Sequence, residues 1–178
     1  MRLINLLSGQ LQIGPCVLGL GAFDGFHVGH QELVRRMRHR ARQLHLPAVI
    51  FTFDHSPRRI LDPGNFPGAI TLPDEKFRLL FDSGVDWVVF RPFDRQFAVI
   101  YSQDFVQQIL VEQLQTRAAF VGFNFGFGFN REGTAQSLAD QLHEKGIECQ
   151  VLQPVQLDGV TVSSTLVRKA VQSGDLAL

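Results

Sequence analysis

Cysteine is scarce in these 178 residues. Cys16 and Cys149 are too few for a disulfide framework and lack C-x-x-C spacing, which points to reduced, structural thiols and a cytoplasmic setting. An excess of charge is also missing. Seventeen basic residues balance seventeen acidic ones, so no overall field draws the chain onto nucleic acid or an anionic membrane. Any anion must be caught by a local site. Long apolar runs are absent too: the opening MRLINLLSGQLQIG is broken by Ser8, Gln10 and Gln12. No later run approaches the roughly 18 residues a membrane span needs, so neither secretion nor membrane insertion is expected. Length excludes a second catalytic domain of ordinary size, and no internal repeat is visible. With 45% hydrophobic and 19% charged residues, the chain can bury one core without disulfides or metals.

Apolar, β-rich runs alternate with longer helical patterns, as in βαβ units around a parallel sheet buried on both faces. The expected fold class is therefore α/β, a Rossmann-like domain with a mostly parallel sheet flanked by helices and room for a small subdomain. The first strand is expected over Cys16 to Leu20, then a glycine-spaced loop and a helix from Gly29 to His45 ended by Pro47. A strand over Ala48 to Phe53 runs into a proline- and glycine-rich loop, Asp54 to Thr71. Pro73, Asp74 and Glu75 open a helix that Gly84 closes, and a strand over Asp86 to Phe90 follows. Asp104 to Gln115 reads as a helix with Phe105, Ile109 and Leu110 on one face, and Ala118 to Val121 as a strand. Thr134 caps a helix through Lys145, Gly146 stops it, and Glu148 to Leu152 returns to the sheet. A turn at Leu157, Asp158 and Gly159 leads to Val160 to Val162 and a last helix from Ser163 or Ser164 to Gly174.

Loops at the carboxyl ends of such strands are where open α/β sheets place their ligand crevice. The first, GLGAFDGFHVGH from Gly19 to His30, has Gly21, Gly25 and Gly29 for close backbone approach and His27 and His30 at a helix entry. A polyphosphate suits it: helix N-terminal N–H groups attract anions, and imidazoles add donors. The loop lacks the ending of a Walker A motif and the spacing of G-x-G-x-x-G. A glycine-rich turn with incidental histidines is the plain alternative. A zinc site has no supporting ligand set.

His27-Val28-Gly29-His30 forms H-x-G-H. TFDHSPRRIL runs from Thr52 to Leu61, VGFNFGFGFNREG from Val121 to Gly133, and VTVSSTLVRKAVQSGDL from Val160 to Leu176. In this order the four segments closely resemble the motifs of bacterial FAD synthetases, the FMN adenylyltransferase module of bifunctional flavin enzymes within the H-x-G-H nucleotidylyltransferase superfamily. The resemblance covers nearly the whole chain. It implies a nucleotidylyltransferase fold over residues 1–178 and transfer of AMP from ATP to the 5′-phosphate of FMN, giving FAD and pyrophosphate, with Mg²⁺ accompanying ATP. The riboflavin kinase domain that follows in relatives, with its P-T-A-N signature, is not expected here.

The resemblance also implies roles. His27 and His30 contact ATP phosphates and Arg168 clamps the triphosphate. Gly21, Phe23, Asp24, Gly29, Ser163, Ser164 and Thr165 fall on the ATP side, with Asp24 orienting the loop through backbone N–H groups, since a carboxylate there otherwise repels the ligand. Thr52, Phe53, Pro57, Arg58, Asn124 and Phe127 fall on the FMN side, and no protein ligand for the metal is assigned. Three departures stand out. Asn124 occupies a place where many relatives carry Asp, and Gly126 and Phe129 break a pattern in which an Arg often sits between the two phenylalanines; loss of that cation bears on affinity for the flavin phosphate. Plainer readings stay open: Ser163 and Ser164 as helix caps, Arg168 in a surface ion pair, Phe123, Phe125, Phe127 and Phe129 as a half-buried strand, and His55 in a surface turn rather than at the flavin. Arg35, Arg36, Arg38, Arg40 and Arg42 crowd one helix, for which local ion pairs are preferred over nucleic acid. An inactive flavin- or nucleotide-binding module, and transfer to a different phosphate acceptor, are the rival functions.

Overall fold

The computed structural model describes residues 2–8 and 13–175. It contains β1 (Leu3–Asn5), β2 (Cys16–Leu20), α1 (Val28–Leu44), β3 (Ala48–Phe53), the short α2 (Arg58–Leu61), α3 (Pro73–Asp82) and β4 (Trp87–Arg91). After these come α4 (Ser102–Asp104), which continues as a π-helical stretch over Phe105–Gln113, β5 (Thr116–Gly122), β6 (Gly126–Phe127) and β7 (Gly133–Thr134). The chain then forms α5 (Ala135–Glu144), β8 (Glu148–Leu152), β9 (Gln156–Leu157), β10 (Val160–Thr161) and α6 (Ser164–Ser173).

Six strands form one sheet in the order β1-β4-β3-β2-β5-β8, every neighbouring pair parallel. Successive side chains on a strand point to opposite faces, so β2 sends Cys16, Leu18 and Leu20 into one apolar layer and Val17 into the other. The first layer meets Ile109, Leu110, Leu138 and Leu142, and the second meets Leu33, Val34, Met37 and Leu80. Gly19 lets α1 lie close to the sheet: a Cβ there would stand 2.8 Å from both Ile50 Cδ1 and Met37 Sδ. The expected mostly parallel, Rossmann-like sheet with flanking helices is the fold observed.

Element ends follow local chemistry. His45, in the left-handed region at φ 53°, ends α1 two residues before Pro47. Pro73 sits at the first position of α3, and Thr134 and Ser137 form a reciprocal capping box at the start of α5. Three features differ from expectation. The edge strand β1 is too short to show a period and exists through its pairing with β4. The helix expected over Asp104 to Gln115 is wound mostly as a π-helix, with Leu114 N–H donating to Ile109 C=O, yet Phe105, Ile109 and Leu110 are buried as the apolar face requires. The alternating phenylalanines do not make a long strand: the ladder there is only β6 against β7, and Phe123 and Phe129 stand exposed. Among the described residues no helix is long and apolar enough to cross a membrane.

Candidate active site

From the centre of the sheet, β3 and β4 follow β2 outward to one side while β5 and β8 lie on the other. The loops leaving β2 and β5 therefore part at the switch point where open α/β sheets take their ligands. A cleft of about 1000 Å³ opens there, lined by residues that follow β2, β3, β4, β5 and β8. Its volume lies at the top of the range for small-molecule sites, enough for more than one modest ligand.

His27 and His30 form one wall. His27 occupies the N-cap of α1 with extended backbone, His30 N–H donates to His27 C=O at 2.8 Å, and among the described residues no side chain caps the helix, which leaves the N–H groups of Val28 and Gly29 at its start. The two imidazoles stack with centroids 3.8 Å apart and planes at 21°. Burial pushes His30 down to about 3, helped by the neighbouring His27, and burial also lowers His27 against the opposing pull of the Asp24 charge. Both rings are neutral near pH 7, able to donate hydrogen bonds but carrying no formal charge. Among the described residues, Nδ1 of each is buried without a partner, an unmet demand of the kind that collects at ligand sites. Gly29 gives this pair room, since a Cβ there would press on the His27 ring at 3.2 Å.

Phe23 sits away from the nucleotide face assigned to it, and Asp24 bonds backbone N–H groups, as its assigned orienting role requires. Phe23 is wholly buried, its ring supporting His30 from 5.2 Å, and does not line the cleft. A Cβ on Gly21 would touch that ring at 3.1 Å, so Gly21 and Phe23 shape the loop together. Asp24 accepts hydrogen bonds from Ile70 and Thr71 N–H at 2.9 and 3.1 Å, drawing the 68–71 loop onto the phosphate-type loop. Gly25, at φ +79°, turns the chain beneath Ile70 and donates its N–H to the Thr71 hydroxyl.

Arg168 is engaged by the protein itself. Its guanidinium donates to Asp24 Oδ2 at 2.6 Å, to Gly68 C=O at 3.0 Å and to Ser164 C=O at 3.3 Å, and it does not line the cleft. The carboxylate that the loop carries is the physical reason: a partly buried anion captures the nearest guanidinium. Arg168 thus ties α6 to two loops. Ser163 is the N-cap of α6, accepting from Leu166 N–H, and the Ser164 hydroxyl donates to Asp24 C=O at 2.8 Å. Ser163, Ser164 and Thr165 all line the cleft.

On the β3 side, Phe53, Pro57 and Arg58 reach the cleft, but Thr52 does not. Thr52 is fully buried and donates its hydroxyl to Ala22 C=O, joining two loops from beneath. Asn124 and Phe127 line the opposite wall. Phe127 stacks on Phe125 and leans on Phe105, and its ring lies over Gly133, where a Cβ would come within 2.5 Å. Phe93 and Phe97, packed edge-on against Phe53, complete an aromatic wall that sequence reasoning missed, because they come from an irregular segment. His55 is exposed beside Asp54 and is not a lining residue. Lys76 was also missed. It is buried on α3 and donates to the carbonyls of Phe53 and Asp54, fixing the end of β3; burial lowers it to about 8 against the pull of Asp24 and Asp54. Its only signal in the sequence was a cation beside Phe77 on the helix's apolar face.

Of the five arginines of α1, four make the local contacts preferred for them: Arg35 and Arg36 pair with Glu32, Arg40 with Glu148, and Arg38 donates to Ser83 C=O.

A family model described as FAD synthetase matches residues 10–166. The chain belongs to the FAD synthetase family. Curated relatives include the bifunctional riboflavin kinase/FMN adenylyltransferases of Escherichia coli K12, 36% identical over 178 residues, and Haemophilus influenzae, 33% identical over 179 residues. All of this chain aligns in each case, covering 56% and 58% of those proteins, so it spans a little over half their length. Among solved structures, a protein of Streptococcus pneumoniae described as a macrolide-efflux protein superposes with a TM-score of 0.84 at 31% identity, over 99% of this chain and 59% of that one. A pantoate-beta-alanine ligase from Francisella tularensis, solved with a nucleotide and beta-alanine, shares the fold with a TM-score of 0.62 at 10% identity, over 98% of this chain and 77% of that one. The matched residues include His27-Val28-Gly29-His30, whose two imidazoles are the stacked pair at the head of α1.

Proposed function

We propose that the chain is an FMN adenylyltransferase, transferring AMP from ATP to the 5′-phosphate of FMN with release of pyrophosphate. The observation that carries this reading is the stacked, neutral His27–His30 pair with orphaned ring nitrogens, set at an uncapped helix N-terminus on the switch-point cleft. A phosphate monoester is already largely dianionic near pH 7, so its oxygen attacks the α-phosphorus without a base. The new P–O bond forms as the bond to the β-phosphate breaks, and the electron pair leaves with pyrophosphate. What remains for the protein is alignment of two anions and hydrogen bonding to the charge that shifts onto the leaving group. His27, His30 and the first-turn amides of α1 supply the donors, and Ser163 and Thr165 add to them from α6.

Mg²⁺ has no built site of its own: among the described residues no group of three His, Cys, Asp or Glu could hold a metal, and Asp24 is spent on Arg168 and backbone amides. In this proposal the ion enters with ATP, held by phosphate oxygens and water, and no step is assigned to it. The aromatic wall around Phe53 and Phe127 supports a flat, apolar acceptor such as isoalloxazine. A cytoplasmic setting, expected from the reduced thiols, belongs to the same proposal.

Incubation with ATP and Mg²⁺ plus either FMN or riboflavin, followed by flavin chromatography, tests the reading. FAD from FMN and none from riboflavin is expected, with turnover falling about 100- to 1000-fold in His30→Ala at retained fold. Flavin binding without pyrophosphate release would favour an inactive module, and pyrophosphate released only with another phosphate ester would favour a different acceptor.

A further inference from the structure

We propose that Lys76 is a positioning residue for the acceptor, holding from behind the strand end that carries Phe53 into the aromatic wall of the cleft. The inference rests on the FMN reading above and deepens it. Lys76 lies on α3, is only 6% exposed and does not line the cleft, so it acts through another residue. Its ammonium donates to the carbonyls of Phe53 and Asp54, the latter at 3.2 Å. Pairing of β3 with β2 stops at Phe51 and with β4 at Phe53, so the backbone leaves the sheet at the point where Lys76 grips it.

What that grip controls is one ring. Phe53 lies edge-on to Phe51, Phe93 and Phe97, with centroids 5.8, 5.2 and 5.7 Å away, and all four rings line the cleft. Thr52, one residue earlier, is fixed from the β2 side by its bond to Ala22 C=O, which leaves the last residue of the strand to Lys76. Phe53 is the hub of the wall, and a shift of its backbone moves the surface on which a flat acceptor stacks.

The cost of burying this cation supports a role beyond packing. Desolvation lowers Lys76 to about 8 from an ordinary 10.5, only partly opposed by the charges of Asp24 and Asp54, yet the group stays mostly protonated near pH 7. Among the described residues it forms no ion pair, since Asp24 is engaged by Arg168 and Asp54 lies beside His55. A methionine of similar length would fill the same space beside Phe77 and Leu80 without that penalty. A compact ammonium serves two carbonyls at once, which an apolar side chain does not, and both belong to the turn that aims Phe53.

The test is a double-mutant cycle of Lys76→Met and Phe53→Leu, with FMN and riboflavin binding titrated by flavin fluorescence and KM measured for FMN and ATP. Lys76→Met should weaken FMN and riboflavin alike by about 3- to 10-fold, because the ring system and not the phosphate loses its seat. The KM for FMN should rise with it, while kcat and the KM for ATP stay within about twofold of wild type. In the Phe53→Leu background the same substitution should cost less than about twofold, since the ring through which Lys76 acts is gone. Additive losses would overturn the route through Phe53. Unchanged flavin affinity, or equal weakening of flavin and ATP, would overturn the positioning role itself. Lys76→Gln, which keeps N–H donors without the charge, should lie between wild type and Lys76→Met, and it runs through the same cycle should the methionine variant not fold. The titrations need no turnover. A chain that binds both flavins through Lys76 yet makes no FAD refutes adenylyl transfer alone, and one that makes FAD with flavin affinity indifferent to Lys76 refutes this proposal alone.

Discussion

Keeping His30 neutral makes the fold sensitive to acid in a way that can be calculated. An unfolded histidine takes up its proton near the usual 6.5, whereas burial and His27 hold folded His30 near 3. Between those values the unfolded chain binds more protons than the folded one, so stability falls as pH drops through 6.5 and stops falling from this source near 3. For this one group the loss is about 2 kcal/mol between pH 7 and pH 5, and about 3 kcal/mol by pH 4. Small domains have only about 5–15 kcal/mol in total, so the effect is measurable. Urea denaturation of wild type and His30→Gln at both pH 7 and pH 5 isolates it. Every other titrating group is common to the two proteins, and the wild type should lose about 2 kcal/mol more than the variant over that interval. Equal losses would refute the claim that His30 is held neutral by its surroundings. Catalysis should fail in the same direction, since protonating the pair would push the stacked rings apart.

Two further substitutions probe the supports beneath the site. Arg168→Met removes the partner of Asp24 but leaves that carboxylate its two backbone donors, so the cost should be about 2–3 kcal/mol, less than for a fully buried orphaned charge, and visible as a lowered melting temperature. Lost turnover at unchanged stability would instead mark Arg168 as a direct contact with nucleotide. Gly133→Ala drives a methyl group into the Phe127 ring and should cost about 1–3 kcal/mol in the same melt while weakening flavin more than ATP; an unaltered protein would show that the ring moves aside freely.

Much of this molecule was legible before any coordinates. Apolar runs and capping residues gave the central strands, α1, α3 and α5, because each rule is local: a proline at the first turn, a capping threonine, continuous apolar runs in a sheet buried on both faces. H-x-G-H marked the ligand-facing end of α1 for the same reason, as the strand, the glycines and the helix start are contiguous. Long-range charge pairing was not legible. Nothing near Arg168 in sequence announces Asp24, so a residue read as a phosphate clamp is found bound to the loop. Phe23 and Thr52 sit in motifs beside cleft residues but point the other way, since neighbours on a tight turn or strand face opposite sides. The phenylalanine alternation mimicked a strand because glycines between the rings satisfy the same period while allowing a loop. Arg131 lies in VGFNFGFGFNREG without distinction, and the turn at Asn130 brings its guanidinium back beside Gly126.

The contacts of Asp24 bear on the order in which the molecule is assembled. Its bonds to Ser164 and Arg168 join residues 140 and 144 positions apart, among the most distant partners in the chain. Closing so long a loop is entropically costly until the sheet has brought its ends together. The loop between β2 and α1 therefore takes its final shape late, after strands whose own pairings are already made. The same tie works in reverse in the native protein: whenever α6 lifts, the 68–71 loop and the histidine loop lose a common anchor at once. Opening of the site is then a cooperative event of three segments, set by the stability of one ten-residue helix rather than by the core of the sheet.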